Sequence, residues 1–294
     1  MEREKYINCT LCPRECRADR TSGKHGFCSV TSDMRVAKTM LHMWEEPPIS
    51  GERGSGAIFF SGCSLGCSFC QNKKISRGDE VGRMVDEREL ADIMLELEAM
   101  GAHNINLVTP MHFAPSISRS LELAKPKLKI PVVCNTGGYD KVETLRMIDG
   151  LVDLYLPDFK YFSGELSARY SSAPDYFEVA SSAIAEMYRQ TGSYLERDGL
   201  AVRGVIVRHL VLPGSRGDSI RVLDALAKLV PVKDIRLSLI GQYTPDFYDG
   251  AENNLKRRIT TFEYNSVLEY AIALGFDGFF QERSSADKKY TPEF

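Results

Sequence analysis

The chain has 294 residues, of which 43% are hydrophobic and 26% are charged, so it is long enough for one large α/β domain with a small appendage. Its net charge of −3 and pI near 6.0 argue against nucleic acid or acidic lipid as a partner. The sequence shows no signal peptide and no apolar run of the ~18–20 residues that span a bilayer, so we expect a cytoplasmic protein with no membrane association and reduced thiols.

The first predicted unit, residues 1–33, carries four of the eight cysteines in "CTLCPRECRADRTSGKHGFC". The segment is short and poor in large apolar residues, so it needs a bound metal to hold it together. A closed set of four thiolates suits zinc or a second iron–sulfur cluster equally well. His25 is a candidate substitute ligand, although a loop histidine near cysteines more often binds no metal. We therefore predict a structural metal at Cys9, Cys12, Cys16 and Cys28.

The second predicted unit, residues 34–294, alternates apolar runs with amphipathic segments. A strand-like stretch at 35–44 comes first, and six short runs rich in Val, Ile and Leu follow, as in a covered parallel sheet. The six β–α repeats predict an α/β fold, a partial (β/α)6 TIM-type barrel with a pre-barrel strand and a C-terminal extension. Segment 276–282 is a candidate extra strand. The six runs occupy 56–61, 104–109, 130–135, 151–156, 204–212 and 235–240, and helices are expected at 86–101, 114–124, 140–150, 173–192 and 218–230.

A cysteine triplet follows the first run. Reactive residues of such barrels lie at the carboxyl ends of the strands, and polar, glycine-containing loops follow the other runs. Cys63, Cys67 and Cys70 have the spacing C-x3-C-x2-C, which is one ligand short of a closed zinc site. A [4Fe–4S] cluster normally takes four thiolates, so three leave one iron open for reaction. The triplet therefore predicts a reactive metal site, whereas the isolated Cys134 suits a buried apolar position.

The C-x3-C-x2-C spacing after a first strand, with the aromatic Phe69 before the last cysteine, resembles the signature of radical S-adenosylmethionine (radical SAM) enzymes. The resemblance implies a [4Fe–4S] cluster whose open iron binds S-adenosylmethionine. The reduced cluster then cleaves that cofactor to methionine and a 5′-deoxyadenosyl radical, which abstracts a hydrogen atom. It also implies an electron donor of the flavodoxin or ferredoxin type.

Segments such as "CTLCPREC", "DLYLPDFKY" and "VIVRHLVLPG" resemble the pyruvate formate-lyase activating-enzyme group. That resemblance implies a protein substrate, a glycine of a partner enzyme. In place of the Asp-Thr pair of that group this chain has Asn135-Thr136, which removes one negative charge from the cation site expected there. The glycine-rich second-strand motif is missing, so Asn106, Thr109 or His112 would replace it. The cofactor site implied comprises Phe69, Asn106, Thr109, His112, Asn135, Thr136, Asp158, Lys160, Arg208 and Gln242.

Alternative interpretations stay open for several of these residues. Asp158 and Lys160 also suit a structural ion pair, and Asn135-Thr136 suits a turn. Because strand side chains alternate, only one of Arg208 and His209 can face the barrel interior, and the resemblance favours Arg208. The segment "WEEPPISG" at 44–51 either caps the barrel or contacts the substrate.

Other functions also agree with the sequence. The chain could be a non-catalytic iron–sulfur or zinc protein, or a radical SAM enzyme that acts on a small molecule. An unrelated barrel hydrolase has no support, since neither a Ser-His-Asp order nor a metal-binding histidine pair is found.

Overall fold

The computed structural model describes residues 3–77, 81–248 and 250–280. The strands are β1 (Arg35–His42), β2 (Ser55–Phe60), β3 (Arg83–Met84), β4 (Ile105–Val108), β5 (Val132–Thr136), β6 (Leu154–Pro157), β7 (Leu195–Arg197), β8 (Leu200–Leu210), β9 (Arg236–Ile240) and β10 (Gly278–Phe280). The helices are α1 (Pro47–Ser50), α2 (Lys73–Ser76), α3 (Glu87–Ala99), α4 (Ala114–Ala124), α5 (Val142–Leu145), α6 (Gly164–Ser171), α7 (Tyr176–Thr191), α8 (Arg216–Leu229) and α9 (Thr261–Ala273).

The strands form one curved sheet in the order β10-β9-β8-β6-β5-β4-β2-β1-β3, and β7 pairs with β8. The six predicted runs form β2, β4, β5, β6, β8 and β9, which are parallel to one another, so the predicted partial barrel is confirmed. β10 adds a seventh parallel strand within the predicted segment 276–282, of which residues 281 and 282 lie outside the described residues. β1 pairs antiparallel with β2, as a strand that precedes the barrel.

Alternating strand residues serve the two faces of the sheet. Outward residues such as Tyr155 and Val207 pack with Ile184 and Met187 of α7 in the main core. Inward residues form a smaller core, in which Ile49 of α1 lies fully buried among strand side chains. The short helix α1 therefore packs inside the barrel, against the inward side chains of the strands. The inward residues of this core are Val133, Leu154, Leu156, Ala201 and Ile206.

Helix boundaries follow local capping chemistry. α3 and α9 each begin with a capping box, formed by Asp86 with Glu89 and by Thr260 with Glu263. The predicted helix at 140–150 is shorter than expected, because α5 gives way to a 3-10 turn at Arg146–Ile148. α9 was not predicted. No helix of the described residues is long and apolar enough to cross a membrane.

The cysteine-rich segment packs against the barrel through two buried or half-buried arginines. Arg20 is only 1% exposed and donates a hydrogen bond to the carbonyl of His112 at 2.7 Å. Arg14 stacks over the ring of Phe27 and donates to the carbonyl of Ser64, in the loop after β2, at 2.9 Å. The segment is thus attached to the end of the barrel where the first strand leaves the sheet. Residues 281–294, most of the predicted C-terminal extension, lie outside the described residues.

Candidate functional site

A cavity of about 320 Å³ lies at the carboxyl ends of the parallel strands. It is the place where the polar loops after β2, β4, β5, β6 and β9 meet, as expected for a barrel of this type. The predicted site residues that line it are Cys63, Cys67, Phe69, Cys70, Thr109, Asn135, Thr136, Asp158, Lys160, Arg208 and Gln242.

The cysteine triplet forms one wall of this cavity. The backbone amide of Leu65 donates to Cys63 Sγ at 3.3 Å, and Cys67 Sγ lies 3.0 Å from the hydroxyl of Ser171. Burial, reinforced by the neighbouring sulfurs, raises the pKa of the Cys63 thiol to about 12. Three half-buried sulfurs beside hydrogen-bonding groups suit a cationic iron centre, since metal binding replaces their protons.

The triplet does not have the geometry of a mononuclear site. No three His, Cys, Asp or Glu side chains among the described residues are grouped so as to hold a single metal ion. Each cysteine of a cube-shaped cluster binds a different iron, so cluster ligands stand further apart than the ligands of one ion. The donor set of the triplet, three thiols facing a cavity, therefore fits a [4Fe–4S] cluster.

The front cysteines also lie near one another. A Cβ atom on Gly26 would lie 3.1 Å from Cys16 Sγ and 3.3 Å from Cys28 Sγ, so both sulfurs contact the same glycine. Burial raises the pKa of Cys12 to about 12, and the sulfurs of Cys28 and Cys9 add to this rise. As at the triplet, no three front side chains are grouped so as to hold a single metal ion, so the described part of the chain contains no preformed zinc site. A second metal is not shown. His25 is an exposed loop residue.

Asp158, Lys160 and Arg208 form the polar centre of the cavity. Asp158 accepts hydrogen bonds from Arg208 Nε at 2.9 Å and from Lys160 Nζ at 2.5 Å. Burial alone would raise the pKa of Asp158, but the charges of Arg208 and Lys160 outweigh it and lower the pKa below its usual value. Arg208 Nη2 also donates to Asn135 Oδ1 at 2.7 Å. The group is therefore an ionised network that presents polar atoms to the cavity.

A tyrosine holds the ends of β5 and β6 together beside this network. The hydroxyl of Tyr176 lies 2.9 Å from the carbonyl of Gly137 and 2.7 Å from that of Asp158, and it accepts from the amide of Lys160. The hydroxyl of Thr136 is engaged in its own turn, where it accepts from the amide of Gly138 and donates to Asp140. Asn135-Thr136 thus both line the cavity and form a turn.

Two predicted residues do not line the cavity. Asn106 is buried on the inner face of β4, where its Nδ2 donates to Glu45 Oε1 at 3.1 Å. His112 lies in the 3-10 turn Met111–Phe113, and its Nε2 donates to the carbonyl of Ser61 at 2.8 Å. Burial lowers the pKa of His112 to about 3, so the ring is neutral. His112 is thus a structural residue in this fold, away from the place expected for it.

Arg208 and His209 point to opposite faces of β8. Arg208 enters the cavity, whereas His209 is buried on the outer face and donates from Nδ1 to the carbonyl of Phe159 at 2.7 Å. Cys134 is fully buried, with its Sγ 3.7 Å from the sulfur of Met111. Neither His209 nor Cys134 belongs to the site.

Glu45 and Glu46 are site residues that sequence reasoning did not assign. Both line the cavity, because the chain passes from β1 into the barrel interior before α1. Glu45 accepts hydrogen bonds from Asn106 and Asn135, and it lies 3.5 Å from Arg208 Nη1. The adjacent carboxylates in "WEEPPISG" were the available signal, but nothing in the sequence placed that segment inside the barrel.

Comparison with known proteins agrees with this site. Residues 57–189 match the family model of the radical SAM superfamily. An uncharacterized protein of Methanocaldococcus jannaschii is 28% identical over 283 residues, which cover 92% of this chain and 76% of that protein.

Two solved structures give an overall comparison. Streptococcus suis SuiB bound to precursor peptide SuiA has a TM-score of 0.49 at 14% identity, covering 71% of this chain and 43% of that one. Methylornithine synthase has a TM-score of 0.49 at 16% identity, covering 74% of this chain and 62% of that one. The chain thus spans less than two thirds of either solved chain.

The chain combines a parallel partial barrel, C-x3-C-x2-C after its first strand and a polar cavity at its strand ends. Residues 57–189 are thus similar to the radical SAM superfamily. Proteins of that superfamily use a [4Fe–4S] cluster and S-adenosylmethionine, and the donor set of the triplet and the lining of the cavity fit these groups. The narrower resemblance to pyruvate formate-lyase activating enzymes is not supported by these comparisons.

Proposed function

We propose that this protein is a radical SAM enzyme that abstracts a hydrogen atom from a substrate bound in the barrel cavity. The observation that carries the proposal is that the three cysteines and the Asp158–Lys160–Arg208 network line one cavity. When bound, the cluster and S-adenosylmethionine supply a 5′-deoxyadenosyl radical. The protein positions the cofactor and the substrate and excludes water.

The ligands of the cluster are Cys63, Cys67 and Cys70. Two nearby cations, Lys160 and Arg208, suit the carboxylate of S-adenosylmethionine, because each is already oriented by Asp158. Thr109, Asn135, Thr136 and Gln242 supply neutral hydrogen-bonding groups around the same space.

An apolar wall completes the site. The ring of Phe69, 8% exposed, meets that of Tyr243 edge-on with centroids 6.0 Å apart. Leu65 and Ile240 extend this surface within the cavity lining. Such a wall suits an adenine ring and keeps water from a reactive intermediate.

The hydrogen donor is either a glycine of a partner protein or a small molecule. The sequence resemblance to activating enzymes favours the glycine. The proposed electron donor is a reduced flavodoxin- or ferredoxin-type protein, and the front cysteines are proposed to hold a second metal.

The test is anaerobic reconstitution followed by reduction with dithionite in the presence of S-adenosylmethionine. We expect about four irons per chain from the triplet, or about eight if the front cysteines also hold a cluster, together with release of 5′-deoxyadenosine. Cys67→Ala should abolish that product, whereas Cys134→Ala, which alters a thiol outside the site, should retain it. Protein that keeps its iron and forms no 5′-deoxyadenosine would refute the proposal.

A further inference from the structure

Glu46 is a buried carboxylate that has no role in the proposed cofactor site. It is 8% exposed and lines the cavity from the segment between β1 and α1. Its backbone carbonyl accepts from the amides of Ile49 and Ser50, but its side chain makes no capping hydrogen bond. The helix therefore does not account for the carboxylate.

The charges around Glu46 do not balance. Arg208 and Lys160 both pair with Asp158, and Arg208 also approaches Glu45. No ion pair within the described residues reaches Glu46. One buried carboxylate, Glu46, and two half-buried ones, Glu45 and Asp158, thus share two cations, which leaves room for one more positive charge.

Hydrogen bonding at the same place is also incomplete. Glu46 Oε2 is buried without a hydrogen-bond partner among the described residues, and the nearby hydroxyl of Ser238, which is also unpaired there, lowers the pKa of Glu46. A ligand that contacts this carboxylate oxygen from the cavity must bring a hydrogen-bond donor.

Burial and the charge of Arg208 act in opposite directions on the pKa of Glu46. Burial raises the pKa of Glu46, and the charge of Glu45 adds to the rise while Arg208 opposes it. His42, which also lines the cavity, has a pKa lowered by burial and by Lys38, so it adds no positive charge at neutral pH.

We propose that Glu46, together with Glu45, binds an ammonium group of the substrate, which is therefore an aliphatic amine. This inference rests on the proposed function and specifies its substrate class. An ammonium ion carries one positive charge and three donors, which matches the charge and the unpaired acceptor of this subsite. The amine is either a free molecule or the side chain of a lysine residue.

The experiment measures ligand binding by the anaerobically reconstituted protein without reductant. The probes are n-butylammonium, its neutral analogue n-butanol, and a tripeptide with capped ends and a central lysine. We expect saturable binding of n-butylammonium or of the lysine peptide, and no binding of n-butanol. Whichever of the two amines binds more tightly identifies the source of the amine. Glu46→Gln should weaken binding at least tenfold, whereas Glu52→Gln, an exposed carboxylate just after α1, should not change it. Equal binding by Glu46→Gln, or equal binding of n-butanol, would overturn the inference.

S-adenosylmethionine has an ammonium group of its own, so binding is measured with and without saturating cofactor. Undiminished binding of n-butylammonium supports a substrate subsite, and displacement by the cofactor overturns it. These two measurements use the unmodified protein and remain decisive if Glu46→Gln does not fold. Because binding requires no turnover, its outcome is independent of 5′-deoxyadenosine formation, which tests the proposed function.

Discussion

The backbone amide of Cys63 donates a hydrogen bond to the carbonyl of Cys28 at 3.2 Å. The last cysteine of the front group and the first of the triplet are therefore direct neighbours. Gly62 makes this approach feasible, since it has φ +89° and a side chain on it would begin 2.6 Å from that carbonyl oxygen. The front cysteines and the triplet are thus coupled through a direct backbone contact.

Substitution at Gly62 tests this coupling. Gly62→Ala should cost about 1–2 kcal/mol for the left-handed backbone alone, and the contact with Cys28 adds to it. We expect lower iron content at the triplet after reconstitution and a lower thermal midpoint. Gly217→Ala in α8, where a side chain meets nothing within 4 Å, is the control. Equal iron content and stability in the two variants would show that the contact is unimportant.

Arg208 is expected to control cofactor affinity. Arg208→Ala removes charged hydrogen bonds to Asp158 and Asn135, each worth about 1.5–3 kcal/mol. Binding of S-adenosylmethionine should weaken roughly ten- to hundredfold, with the iron content unchanged. The measurement is equilibrium binding to the reconstituted protein. Arg203→Ala, an exposed residue of the same strand, should bind normally, and unaltered affinity in Arg208→Ala would exclude Arg208 from the cofactor site.

The hydroxyl of Tyr176 is expected to position the ends of β5 and β6. Tyr176→Phe leaves the amide of Lys160 without its acceptor, at a cost of about 1–3 kcal/mol for a buried group. Both the thermal midpoint and the affinity for S-adenosylmethionine should fall. The control is Tyr188→Phe, which removes a hydroxyl that bonds to Asp234 and does not line the cavity. If affinity persists while stability falls, Tyr176 is structural only.

Asp140 should make stability depend on pH. Burial raises its pKa from 3.8 to about 6, partly offset by the hydrogen bond from Thr136. Between about pH 4 and 6 the folded carboxyl keeps a proton that the unfolded one has lost. The free energy of unfolding should therefore fall as pH rises through this window, by up to about 3 kcal/mol, and level off above it. The measurement is urea unfolding of the parent protein and of Asp140→Asn at pH 4 and 7. Only the parent should lose free energy of unfolding between these pH values, and parallel pH profiles of the two proteins would contradict the prediction.

Most of the fold could be predicted because covered parallel strands are apolar on both faces. The residues of β5 and β8 form such runs in the sequence. α9 was missed because its buried residues, Tyr264, Val267 and Ala271, lie among other apolar side chains and leave a weak helical period. β10 falls within segment 276–282, which the sequence indicated as a candidate strand.

The candidate site could be predicted only where local sequence carries the signal. The cysteine spacing and the polar residues after each strand, such as Asp158, are local features. The positions of Glu45 and Glu46 depend on α1 filling the barrel interior, which is a tertiary event. The location of His112 depends on Arg20, far away in the chain, whose guanidinium donates to its carbonyl.

The most direct test of the central claim is electron paramagnetic resonance of the reduced cluster before and after addition of S-adenosylmethionine. An iron held only by its sulfide neighbours is open to the cofactor, so the spectrum of the parent protein should change on binding, and the Cys67→Ala variant should show no such signal. An unchanged spectrum while the cofactor is bound would show that the open iron position does not exist.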